Sequence, residues 1–214
     1  MNQTLRRKLI SLAKKNITTT DSAHDFEHAS RVLYNAEYLA QKEGGSLDVL
    51  VPSALFHDLV NIEKDAINAS CAPKKSAEKV GQILPTIDAY QDTQLLDRVK
   101  KAIICTSYSV AIKPQSLEEK IMQDADNLEK SGAIAVMRTF SSVGRMKAKL
   151  YHPEDPFCNA RQPTPKIYGL DLISAELLEV KDSLNTQTAQ QLIKGKEQFL
   201  MEFLQQFRRE YQYK

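Results

Sequence analysis

"TTTDSAHDFEHASRVLYNAEYLAQKEGG", residues 18 to 45, opens on Thr, Asp and Ser candidates for a helix N-cap and closes on Gly44-Gly45, a C-terminal stop. Between them Val32, Leu33, Ala36, Leu39 and Ala40 recur at helical spacing as one apolar stripe. His24 and His28 stand four residues apart and share a face if both are helical. The next segment, "SLDVLVPSALFHDLV" (46 to 60), repeats the design. Ser46 can cap it, Leu47, Leu50, Val51, Ala54 and Leu55 face inward, and Pro52 either kinks the helix or marks its start.

Working outward, helical spacing returns in "SAEKVGQIL" (76 to 84) and "QLLDRVKKAIICTSYS" (94 to 109). Ser116 can cap one long helix, "LEEKIMQDADNLEKSGAIAVMRTFSSV" (117 to 143). Residues 144 to 169 are rich in Pro and mixed polar residues, yet Tyr151, Phe157 and Tyr168 recur through them. They read as an irregular excursion that could wall or cover a pocket, with His152 a loop residue. "DLISAELLEVKDSL" (171 to 184) and the segment from Thr186 to Gln212 read as two final helices. With seven glycines and almost no strand-like alternation, the expectation is an all-α bundle. It is read as a single domain over 1–214: a site-bearing core of about 20–143, the excursion 144–169 and C-terminal helices 170–212.

The 26% charged residues and net charge of +2 are ordinary for a globular chain and make nucleic acid no obligatory partner. The runs Arg6-Arg7-Lys8 and Lys74-Lys75 read as solvated helix ends. No segment approaches the roughly 18 apolar residues of a membrane span, and the start "MNQTLRRKLISLAKKN" lacks the apolar run of a secretory signal. Three scattered cysteines fit reduced thiols. The expected location is the cytoplasm.

Chemistry-bearing residues fall at three places. His24 and His28 adjoin the first stripe, His57 and Asp58 follow the buried run "ALF", and Asp124 and Asp126 sit between Ile121-Met122 and Leu128. A carboxylate where burial is expected needs a cation. Imidazoles together with carboxylates suit Mn, Fe, Co, Ni or Zn, and Mg less well.

The ordered set "HxxRV … ALxHD … DADxL" resembles the HD-domain superfamily of metal-dependent phosphohydrolases, and within it the small bacterial proteins that include nucleotide pyrophosphohydrolases. The resemblance runs over nearly the whole chain, through "LYHPEDPF" and the late "LLEVKDSLNTQTAQQL". It implies a helical HD bundle and metal ligation by His28, His57, Asp58 and Asp126, with Asp124 beside the site or on the helix surface. Metal-assisted hydrolysis follows, the ion acidifying a water and polarising a phosphoryl oxygen. In it Asp58 also orients the water, and Lys64 and Asp65 reach the phosphate or leaving group. The implied substrate is a nucleotide or similar small phosphorylated metabolite, with pyrophosphate release from a nucleoside triphosphate as one form. Arg31 is the first candidate for a phosphate contact through its forked donors; His24, Glu27 and Arg138 are further substrate-side candidates. Cleavage of a phosphodiester or phosphomonoester is the alternative reaction, and a non-catalytic metal- and nucleotide-binding sensor the alternative role. A dinuclear iron oxygenase would need more ligands than these four. Two departures stand out: Thr106 replaces a histidine common in relatives, and Asn127 and Glu129 replace Arg and Asp.

Overall fold

A computed structural model describes residues 1–19, 21–60, 62, 69–106 and 112–211. The chain is all-α, and the only β-pairing among the described residues is an isolated bridge between Lys149 and Tyr168. No described helix is long and apolar enough to cross a membrane. The chain divides into two compact units, Met1–Asp126 and Asn127–Lys214.

In the first unit, α1 (Gln3–Asn16), α2 (Phe26–Glu43), α3 (Leu47–Phe56), α4 (Ala72–Ile83), α5 (Thr93–Thr106) and α6 (Leu117–Asn127) follow one another. α3 packs against α1, α2 and α5, and α4 against α5. The one-sided stripe expected for α3 is too modest: every residue from Val49 to Phe56 is buried. A helix apolar all round belongs at the centre. α2 ends as expected, with Gly44 at φ +90, a backbone that residues with a Cβ rarely adopt. Arg6 is no solvated helix end. Its Nε and Nη2 lie 2.6 and 2.9 Å from the two carboxylate oxygens of Glu37, tying α1 to α2.

Pro52 lies inside α3 rather than at its start. It has no N–H to give the carbonyl four residues back, that of Asp48. The hydroxyl of the fully buried Tyr90 donates to that carbonyl instead, at 3.0 Å. Tyr90→Phe keeps the ring and removes the donor, so it should cost about 1 to 3 kcal/mol, the penalty of an unsatisfied buried acceptor. Urea unfolding of the two proteins checks this; equal midpoints would mean that water serves the carbonyl instead. Ser46 occupies the N-cap of α3 but its side chain makes no cap bond. Its N–H donates to Glu118 Oε1 at 3.0 Å.

The long helix expected over 117–143 is broken. α6 ends at Asn127, a 3-10 turn covers Leu128–Lys130, and α7 (Gly132–Arg145) restarts at a glycine with φ +78. The expected cap is present at its start, where Ser116 Oγ accepts from the Glu119 N–H at 3.2 Å.

In the second unit, α7 packs against α9 (Gln187–Tyr211). The single helix expected over 171–184 is three short pieces: α8 (Gly169–Leu172), a π-helical turn (Ile173–Leu177) and a 3-10 turn (Val180–Ser183). Ala135, Leu170, Ile173, Leu177 and Leu200 form the core, with Phe140, Tyr151, Phe157 and Phe207 against it. The Pro-rich segment is held by a buried ion pair. Asp171, fully buried, accepts from Arg161 Nη1 and Nη2 at 2.6 and 2.7 Å and from the Thr164 N–H at 2.7 Å.

Candidate metal centre

Three helix termini of the first unit deliver the site. Asp25 caps α2, its side chain accepting the N–H of His28 at 2.9 Å, so His28 sits in the first turn. The expected N-cap lay further upstream, among Thr18 to Ser22, and its shift moves His24 out of the helix. The two histidines are therefore not a pair on one helical face. Their rings still meet edge to face, 5.9 Å apart, because His24 is held in the preceding turn through Nδ1 and Asp21 Oδ2 at 2.8 Å.

His57 and Asp58 emerge where the central helix α3 ends. His57 Nδ1 is 2.9 Å from the Ala54 carbonyl, a bond that needs the ring proton on Nδ1 and leaves the Nε2 lone pair available. α6 supplies Asp126, and Asn35 of α2 fixes that end by donating to the Ala125 carbonyl at 3.1 Å.

Donor atoms of His28, His57 and Asp58 converge, with Asp126 beside the two histidines. His28 Nε2 and His57 Nε2 are 3.2 Å apart. Asp58 Oδ2 is 3.5 and 3.4 Å from them, and Asp126 Oδ1 3.6 and 3.8 Å. Ligand bonds of about 2.0 to 2.2 Å set neighbouring donors about 3 to 3.5 Å apart around one cation; His28, His57 and Asp58 stand at that spacing, and Asp126 Oδ1 lies slightly beyond it. Two imidazoles and two carboxylates also match the ligand preferences of a divalent transition ion. The histidines are buried, whereas the Asp58 side chain is 36% exposed. Approach from solvent is therefore on the Asp58 side. Burial pushes the Asp58 carboxyl up, but His57, His28 and His24 outweigh it and hold the group well below the usual carboxylate range. It is ionised and ready to ligate.

The other sequence candidates are placed less uniformly. Arg31 stands half-buried one turn beyond His28, and Glu27 is exposed on the first turn of α2. Lys64 and Asp65 lie outside the described residues. Arg138 belongs to α7 in the second unit, where Nη1 donates to the Glu129 carbonyl at 3.4 Å. Asp124 is fully buried, which excludes the helix-surface reading. Thr106 ends α5, buried, with its hydroxyl turned back to the Ala102 carbonyl at 2.9 Å. Asn127 Nδ2 donates to Ser183 Oγ at 3.2 Å. Sequence reasoning missed Asn35 and Asp21; an Asx residue before a capped helix signals the second, and nothing local signals the first.

Residues 25–131 match the HD domain. YpgQ of Bacillus subtilis (strain 168) is 28% identical over 206 residues, covering 91% of this chain and 87% of its own. The crystal structure of YpgQ in complex with ADP aligns with a TM-score of 0.70 at 23% identity, over 96% of this chain and 97% of that one. An HD-superfamily hydrolase from Bacillus thuringiensis aligns at 0.71 with 25% identity, over 99% of both chains.

Proposed function

The chain belongs to the HD-domain family, and on that premise we propose that it is a metal-dependent phosphohydrolase acting on a nucleotide or similar small phosphorylated metabolite. The convergence of His28, His57 and Asp58, with Asp126 beside the two histidines, carries the reading. These residues would hold a divalent transition ion, with Mn, Co, Ni, Fe and Zn suited ahead of Mg. Such an ion, once bound, supplies Lewis acidity toward a phosphoryl oxygen and a more acidic water. The ionised Asp58, at the open side, is placed to accept a hydrogen bond from the attacking water and orient it. His24 touches the His28 ring and Arg31 stands one turn beyond His28 on α2; both would bind phosphate oxygens, with Glu27 a further substrate-side candidate beside His28. Lys64 and Asp65 remain catalytic candidates from sequence, and Arg138 a substrate-side one. The ADP held by YpgQ supports a nucleotide as substrate. Three free cysteines fit a reducing compartment, and we place the protein in the cytoplasm.

A panel of nucleoside mono-, di- and triphosphates with Mn, Co, Ni and Mg tests this, phosphate and pyrophosphate being scored separately. The expected result is turnover with a transition ion and pyrophosphate from a triphosphate. Phosphate alone would assign a phosphomonoesterase. Nucleotide binding without turnover would favour the second reading, a metal- and nucleotide-binding sensor, which the inward-turned Thr106 hydroxyl supports.

A further inference from the structure

We infer that the cavity beside Asp58 seats a substrate phosphate and that Lys79 binds it, an inference resting on the phosphohydrolase reading. The cavity holds about 170 Å3 and is lined by residues 16–19 at the end of α1, by Asp58 and Leu59, and by Lys79. At roughly 30 Å3 per water molecule it accommodates an inorganic phosphate or diphosphate group. It is smaller than the roughly 300 Å3 at which pockets for whole small molecules begin, a size suited to the phosphate end of a ligand rather than to a whole nucleotide.

Local chemistry explains the position of Lys79. Ser76 of α4 is fully buried and its Oγ accepts the Val60 N–H at 3.0 Å, which clamps the chain just past Asp58 onto that helix. Lys79 stands three residues further along α4, on the same face as Ser76. On the other wall α1 has ended at Asn16, and the chain runs non-helical through Thr18 and Thr19. Thr19 Oγ1 accepts the Asp21 N–H at 3.0 Å, which leaves its own proton to donate. Lys79 and two threonines thus line the cavity together with Asp58, a cation and hydroxyl-bearing residues within reach of an anion seated there. Asp58 alone repels an anion, so tight phosphate binding there needs Lys79 together with an ion that offsets the Asp58 charge. Arg31 would contact the substrate from α2, and Lys79 from α4 on the solvent side of Asp58.

Calorimetric titration of inorganic pyrophosphate into Mn-loaded protein tests the assignment. Lys79→Ala should weaken binding at least about tenfold, the effect of one charge-assisted hydrogen bond. Lys79→Arg should retain it, and Mn affinity should match the unaltered protein in both. Lys75→Ala, the same charge lost from the same helix outside the cavity, should bind as the unaltered protein does. Equal affinity in Lys79→Ala and the unaltered protein, or equal weakening in Lys75→Ala, would overturn the subsite. The readout is binding, so an absence of turnover in the nucleotide panel counts against the hydrolase reading and not against this one.

Discussion

His57→Ala is expected to weaken Mn binding by more than about a hundredfold and to remove turnover with it. Losing even a residue that only orients a ligand costs about 10- to 100-fold in metal affinity, and His57 Nε2 is itself one of the converging donors, 3.2 Å from His28 Nε2 and 3.4 Å from Asp58 Oδ2. Without an ion or the second imidazole, Asp58 and Asp126 are left as two carboxylates with only His28 between them. The fold should survive, because the substitution removes only the hydrogen bonds to the Ala54 carbonyl and to His28 Nε2, each worth about 1 kcal/mol. His24→Ala is the informative contrast. His24 touches the His28 ring but stands outside the donor set, held by Asp21. It should keep one ion per chain while raising KM. Metal analysis with equilibrium titration decides the matter, and wild-type Mn affinity in His57→Ala would sink the assignment of the cluster.

The all-α class and the elements that carry the cluster were legible because burial follows helical period in α2 and because α3 carries a long apolar run. Helix termini were less so. The caps expected among Thr18 to Ser22 lie upstream of the one used: the His28 N–H donates to Asp25 Oδ1, and that choice takes His24 off the helix. Gly132 is visible in the sequence, but a lone glycine within helical spacing does not show that it takes φ +78. Pro52 announces an orphaned carbonyl at Asp48, while its partner Tyr90 lies 42 residues away and no local pattern connects them. The full burial of Asp124 and the inward turn of Thr106 are likewise tertiary facts. Local period reports which side of a helix is apolar, not what stands opposite each polar group.

Arg161→Ala should cost the second unit about 3 to 5 kcal/mol, more than the reciprocal Asp171→Ala, because the two partners are unequally buried. Arg161 retains 19% exposure and can turn to water; Asp171 has none. Without the guanidinium, the carboxylate keeps the Thr164 N–H and hydroxyl, at 2.7 and 3.3 Å, and the Cys158 thiol, neutral donors that carry no offsetting charge. The pH dependence separates the two cases. In the unaltered protein burial pushes Asp171 up, but Arg161 and Thr164 outweigh it and hold the carboxyl below its usual range. A depressed folded-state pKa contributes stability above the unfolded value of about 3.9, lost as pH falls through the folded pKa. In Arg161→Ala, burial prevails and raises the group, so the folded state takes up the proton first. Stability then falls as pH rises from about 4 through the raised pKa. The double variant, with neither charge, should recover part of the loss. Urea unfolding across pH 3 to 7, followed by circular dichroism, checks the sign. A slope in Arg161→Ala that matches the unaltered protein would show that Asp171 stays ionised without its partner.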